Sequence, residues 1–60
     1  MNPKQVEAVK KDMAERGIKH YTILPGNHCL WVSYNVRFEA TINLYFIFNS
    51  EDEIIDVQVD

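Results

Sequence analysis

Apolar residues recur with a helical period up to Arg16, and from Ile18 onward they recur at every second position. Val6, Val9 and Met13 stand at i, i+3 and i+7 and form one narrow stripe, while Glu7 with Lys11 and Asp12 with Arg16 are i,i+4 pairs on the wet side. Asn2 is placed to cap this helix, Pro3 suits its first position, and Gln5, three residues after the cap, is placed to complete a capping box. Gly17 suits the left-handed position that ends a helix, with Ile18 folding back on Met13. The pattern predicts a helix from Pro3 to Arg16.

The rest of the chain predicts four strands. His20 to Leu24 is the first, Pro25-Gly26 marks a turn, and His28 to Tyr34 returns. Val36, Phe38, Ala40, Ile42, Leu44, Phe46 and Phe48 then alternate with Arg37, Glu39, Thr41, Asn43, Tyr45, Ile47 and Asn49. Read as one strand, this run is about 43 Å long, about twice the usual length, and is expected to bend, bulge or outrun its neighbours. Asn49 to Asp52 is a polar turn into a last strand, Glu53 to Val59. The expected architecture is a single α+β domain over residues 1–60, one N-terminal helix packed on a four-stranded antiparallel meander sheet.

Register assigns the two faces. With Pro25 and Gly26 at the centre of the first turn, Ile23 opposes His28, Tyr21 opposes Leu30 and His20 opposes Trp31. With the last turn at Asn49 to Asp52, Phe46 opposes Ile55 and Leu44 opposes Val57. One face then gathers Tyr21, Ile23, Leu30, Val32, Phe38, Ala40, Ile42, Leu44, Phe46, Ile55, Val57 and Val59, and the helix stripe should lie on it. The other gathers His20, Thr22, Leu24, Cys29, Trp31, Ser33, Thr41, Asn43, Tyr45, Ile47 and Ile54, which is too apolar for a surface meant only for water. A helix about 21 Å long and about 10 Å across cannot cover four strands spaced about 4.8 Å apart. Something else is expected to cover part of the sheet.

Composition sharpens this. The 60 residues are 47% hydrophobic with a formal net charge of −3, which suits a folded domain rather than a disordered tail. A chain this short buries only about 60% of the surface its unfolded form exposes, so a staple or a partner is needed for more than marginal stability. The lone Cys29 closes no intramolecular disulfide. The polar start and the lack of a long apolar run predict neither a signal peptide nor a membrane span, and the expected address is the cytoplasm. Residues 1–20 hold five basic and three acidic side chains, and residues 21–60 hold Arg37 against six acidic ones. A net of +2 on a mixed-sign helix does not favour nucleic acid.

Candidate chemistry is sparse. His28 beside Cys29 suggests a base and a nucleophile, but adjacent strand residues point to opposite faces, so no dyad is expected. His20 and His28 fall on different faces with no third ligand, so no metal site and no cofactor are expected. Phe38, Phe46 and Phe48 read as core. Trp31, Tyr45, Ile47 and His20 on the opposite face are the candidate binding residues.

Two resemblances bear on function. The stretch from Gly17 to Val59, with its hairpin, the run Ile42-Asn-Leu-Tyr-Phe-Ile-Phe48, an acidic turn and a last apolar strand, resembles the opening half of YbjN-like domains, which share a fold with type III secretion chaperones. That resemblance implies a protein that works by binding other proteins. The helix, Gly17, a strand and then Gly26-Asn27-His28 before a hydrophobic strand resemble the Gly-Ser-His segment of HicA-type toxins, with Asn27 where that family has Ser. That likeness implies a small RNA-binding endoribonuclease with His28 as its acid-base residue. With no assembled catalytic group and one uncovered sheet face, the expectation is a non-enzymatic protein-binding module, an adaptor, regulator or inhibitor whose partner is a larger protein or a second copy of itself.

Overall fold

The computed structural model describes residues 1–37 and 40–60. Its elements are α1 (Pro3–Glu15), β1 (Thr22–Pro25), β2 (Cys29–Val36), β3 (Ala40–Phe48) and β4 (Ile54–Val59), and the strands form one antiparallel sheet in the order β1-β2-β3-β4. The chain is therefore an α+β domain with an N-terminal helix followed by a meander.

Helix α1 is bounded by the residues whose chemistry suits its ends. The Asn2 side chain accepts from the backbone N–H groups of Lys4 and Gln5, two donors that the first turn otherwise leaves without partners. Gln5 does not close a capping box, because its Nε2 donates instead to Asp52 Oδ1 at 2.9 Å, tying the helix start to the β3–β4 turn. At the other end Gly17, at φ +76°, lets its N–H reach Ala14 O and the Ile18 N–H reach Met13 O, the paired bonds of a Schellman stop. Ile18 packs against the core beyond it. Of the two expected helix ion pairs, Arg16 does bond Asp12, whereas Glu7 sits near Lys10, one residue short of Lys11.

Among the described residues, the buried apolar ones are Val9 and Met13 of α1 with Leu30, Val32, Leu44 and Phe46. All four sheet members lie on the middle strands, which is where a single helix can reach. The Arg16 guanidinium stands 5.9 Å from the centre of the Phe46 ring and roofs this core at the helix end. On the outer strands the same face is only partly covered, at Ile23 and Val57, and Val59 remains 68% exposed.

Two register corrections follow from the turns. Ile23 pairs with Val32 rather than His28, and Leu24 rather than His20 pairs with Trp31, because four residues, Gly26 to Cys29, intervene between the paired Pro25 and Leu30. The slip is an even number of residues, so every β1 and β2 side chain keeps its expected face. The Gly26 N–H bonds Cys29 O, and alternation from that bond turns the missing N–H of Pro25 away from β2, where it costs no ladder hydrogen bond. In the last hairpin Phe46 pairs with Val57 and Leu44 with Val59, and a bulge matches Phe48 to Ile54. The extra residue there is Ile55, so Ile54 packs against the core and Ile55 is 61% exposed, the reverse of the expected assignment.

The long patterned run is not one strand. Val36 belongs to β2 and pairs with Ala40, so the chain reverses inside the run, with Arg37 at φ 65° in the turn. Phe38, expected in the core, and Glu39 lie outside the described residues. The single long strand expected here is thus replaced by the end of β2, a turn and β3. Strand β1 pairs no further than Ser33, and β4 ends opposite Leu44, so residues 34–36 and 40–42 pair only with each other. They form a two-stranded arm whose base, Tyr34 and Ile42, still packs against the core, while Val36 is 43% exposed and Ala40 is exposed.

The β3–β4 turn is built by one side chain. Asn49 Oδ1 accepts from the N–H groups of Glu51 and Glu53, and its own N–H bonds Glu53 O. This turn holds Asp52 at φ 63°, a conformation Asp tolerates better than most residues.

Candidate functional site

Period-two alternation in β2 and β3 sends Trp31, Tyr45 and Ile47 to the sheet face away from α1. Trp31 and Tyr45 are directly cross-strand, and their rings stack with centroids 6.2 Å apart and planes 20° from parallel. Leu24 flanks Trp31 on β1, and the Cys29–Ile47 pair forms the next row toward the β1–β2 turn. Trp31, Tyr45, Ile47 and Cys29 are all half-buried by one another and by the sheet beneath. The aromatic pair stands over the middle of the open face, with no helix above it.

The polar atoms of the pair already have partners. Trp31 Nε1 donates to Asn43 Oδ1 at 2.8 Å, and the Tyr45 hydroxyl donates to Asp60 Oδ2 at 3.5 Å. Desolvation first, and then the Asp60 carboxylate beside it, push the Tyr45 phenol above its ordinary pKa. Strand β4 completes the face with Asp56 opposite Ile47 and Gln58 opposite Tyr45, and Asp60 follows the strand, exchanging both backbone hydrogen bonds with Asn43. These β4 residues were absent from the sequence assignment of this face, although alternation from Val57 and Val59 carried the signal. Strands β1 to β4 contain no Lys, Arg or His.

Asp56 has a second task at the sheet edge. Because Asn43 and Asp60 are a hydrogen-bonded pair, the N–H groups of Asp56 and Gln58 point to β3 and that of Val57 points outward. Asp56 Oδ1 accepts this N–H at 2.9 Å, which occupies a donor that an approaching strand could otherwise use.

His20 does not join the group. It lies exposed in the connection before β1 and lines a shallow depression of about 280 Å³ with Tyr21, Thr22, Ser33, Tyr34 and Asn35. Its expected neighbour Trp31 is paired with Leu24 instead. His28 is exposed in the β1–β2 turn at φ 61°, one residue before β2 begins, and no side-chain hydrogen bond joins it to Cys29 among the described residues. Cys29 is a half-buried free thiol. Among the described residues no helix is long and apolar enough to cross a membrane.

Comparison with protein-family models, with curated proteins and with solved structures finds no match.

Proposed function

We propose that this chain is a small protein-binding module, without a catalytic group of its own, whose contact surface is the sheet face opposite α1. One observation carries the proposal. The Trp31–Tyr45 stack, extended by Leu24, Cys29 and Ile47, forms a contiguous aromatic and aliphatic patch on a face that the helix does not cover. Patches of this kind on small proteins mark interaction sites, and Trp and Tyr are the residues that most often dominate them. Adaptor, regulator and inhibitor all fit such a module. A free thiol at Cys29 suits the reducing environment of the cytoplasm, which is the address this reading carries.

Affinity capture from extract of the native host tests the proposal, using the wild type and Trp31→Ala side by side. Removing a central Trp from an interface costs about 2 kcal/mol or more, roughly a 30-fold loss of affinity, so Trp31→Ala should fail to retain the partner while keeping wild-type circular dichroism. Identical capture by both proteins would refute the assignment of the face. Cleavage of RNA by the wild type that is lost in His28→Ala would replace the binding module with the ribonuclease reading.

A further inference from the structure

The charge on the open face is one-sided. Its formal charges among the described residues are the carboxylates of Asp56 and Asp60, and no strand carries a basic side chain. The basic residues lie elsewhere, on α1, at Lys19 before β1, and at Arg37 in the β2–β3 turn. At the aromatic pair both ring donors are spent, Trp31 Nε1 on Asn43 and the Tyr45 hydroxyl on Asp60. The pair therefore offers an incoming group two things, the outward side of a stacked aromatic pair and the spare lone pairs of a carboxylate next to it. Both attract a cation that carries N–H donors.

From this, and resting on the proposed binding role of the same face, we infer that the partner is a protein presenting a basic extended segment. Its Arg or Lys side chain lies against the Trp31–Tyr45 rings and is met by Asp60, with Asp56 adding charge one row away. Arg suits the site better than Lys, because its planar guanidinium stacks on an aromatic face while its N–H edge still reaches a carboxylate. A second copy of this chain fits poorly, since face-to-face pairing brings four carboxylates together with no strand cation between them. A phosphate backbone meets the same repulsion. The Tyr45 phenol is pushed above its ordinary pKa by desolvation first, and the Asp60 carboxylate beside it adds to that rise.

Trp31 is the only tryptophan in the chain, so its emission reports on this face directly. Two blocked pentapeptides serve as probes, Val-Arg-Val-Arg-Val and Val-Glu-Val-Glu-Val, each titrated at low and high salt. The basic peptide should shift Trp31 emission saturably with a Kd at least about tenfold below that of the acidic one, and the difference should shrink as salt screens it. In Asp56→Asn/Asp60→Asn the preference should vanish. Asn keeps an acceptor for the Val57 N–H and for the Tyr45 hydroxyl, so the fold is retained and only charge is lost. Equal response to both peptides, no response to the basic peptide up to about 10 mM, or a preference that survives the double variant would overturn the inference. So would a dimer in light scattering that shields Trp31. If the charge preference fails while Trp31→Ala still loses a captured partner, the binding face stands and its cationic specificity falls. If capture is also indifferent to Trp31, both fall.

Discussion

Phe46→Ala is the substitution on which the packing account stands or falls. The ring is fully buried on β3, in one cluster with Val9 and Met13 of the helix, Leu30 and Val32 of β2 and Leu44 of its own strand. Arg16 closes over it from the end of α1. Truncation therefore removes a ring from between every layer of the core at once and leaves a hole that rigid strands on one side cannot fill. Such changes cost about 3 to 5 kcal/mol, and a 60-residue domain is expected to hold only roughly 3 to 9 kcal/mol in total. Urea denaturation followed by circular dichroism should find about a third or more of the wild-type stability lost, with the midpoint moved well toward zero urea. Ile42→Ala is the control, because Ile42 lies on the same face but only partly buried, and it should cost about 1 to 2 kcal/mol. A Phe46→Ala loss below about 1 kcal/mol, or equal losses at the two sites, would refute the placement of the core.

Three further outcomes can be measured. Tyr45 should titrate above the ordinary tyrosine value in a nuclear magnetic resonance pH series, and Asp60→Asn should lower its pKa only part of the way, since desolvation is the larger cause. The sign follows from the neutral phenol being favoured in the fold, so the stability linked to Tyr45 is present below pH about 10 and is lost as pH rises through the raised folded value. Gly26→Ala puts a Cβ 2.5 Å from Cys29 Sγ and should destabilise by about 1 to 3 kcal/mol, whereas adding Cys29→Ala should recover part of the loss in thermal melts. Asp56→Ala uncovers the outward N–H of Val57 and should self-associate in light scattering at concentrations where the wild type and Asp56→Asn behave alike.

The parts of the fold that were legible in the sequence are those written in local chemistry. Asn2, Pro3 and Gly17 punctuate the helix, and their roles follow from backbone donors and φ alone. Face assignment through β1, β2 and β3 was legible because alternation survives an even register slip. The β2–β3 reversal was not, for a specific reason. Three residues separate the paired Val36 and Ala40, so even-numbered residues stay on one face on both sides of the turn and the period of two runs through it unbroken. No Gly, Pro or Asn interrupts the run at that point. The exchange of Ile54 and Ile55 was hidden similarly, because the extra residue Ile55 is of the same type as its neighbour Ile54 and leaves no mark in the pattern. At the candidate site, the meeting of Trp31 with Tyr45 follows from both lying on one face near the middle of paired strands. The exclusion of His20 depended on the length of the first turn, where Pro25-Gly26 signals a reversal without specifying how many residues it takes. Asp60 joined the site through its backbone bonds to Asn43, a pairing fixed only once the last hairpin had its register.

The central claim is that the sheet face opposite α1 is the surface this protein uses. Nuclear magnetic resonance mapping of the isotopically labelled chain on addition of its captured partner addresses it most directly. The account predicts that the Trp31 indole signal and the side chains of Leu24, Tyr45 and Ile47 shift or broaden, while Val9, Met13 and the buried side of β3 do not. Perturbations confined to the exposed face of α1, or to the arm formed by residues 34–36 and 40–42, would contradict it.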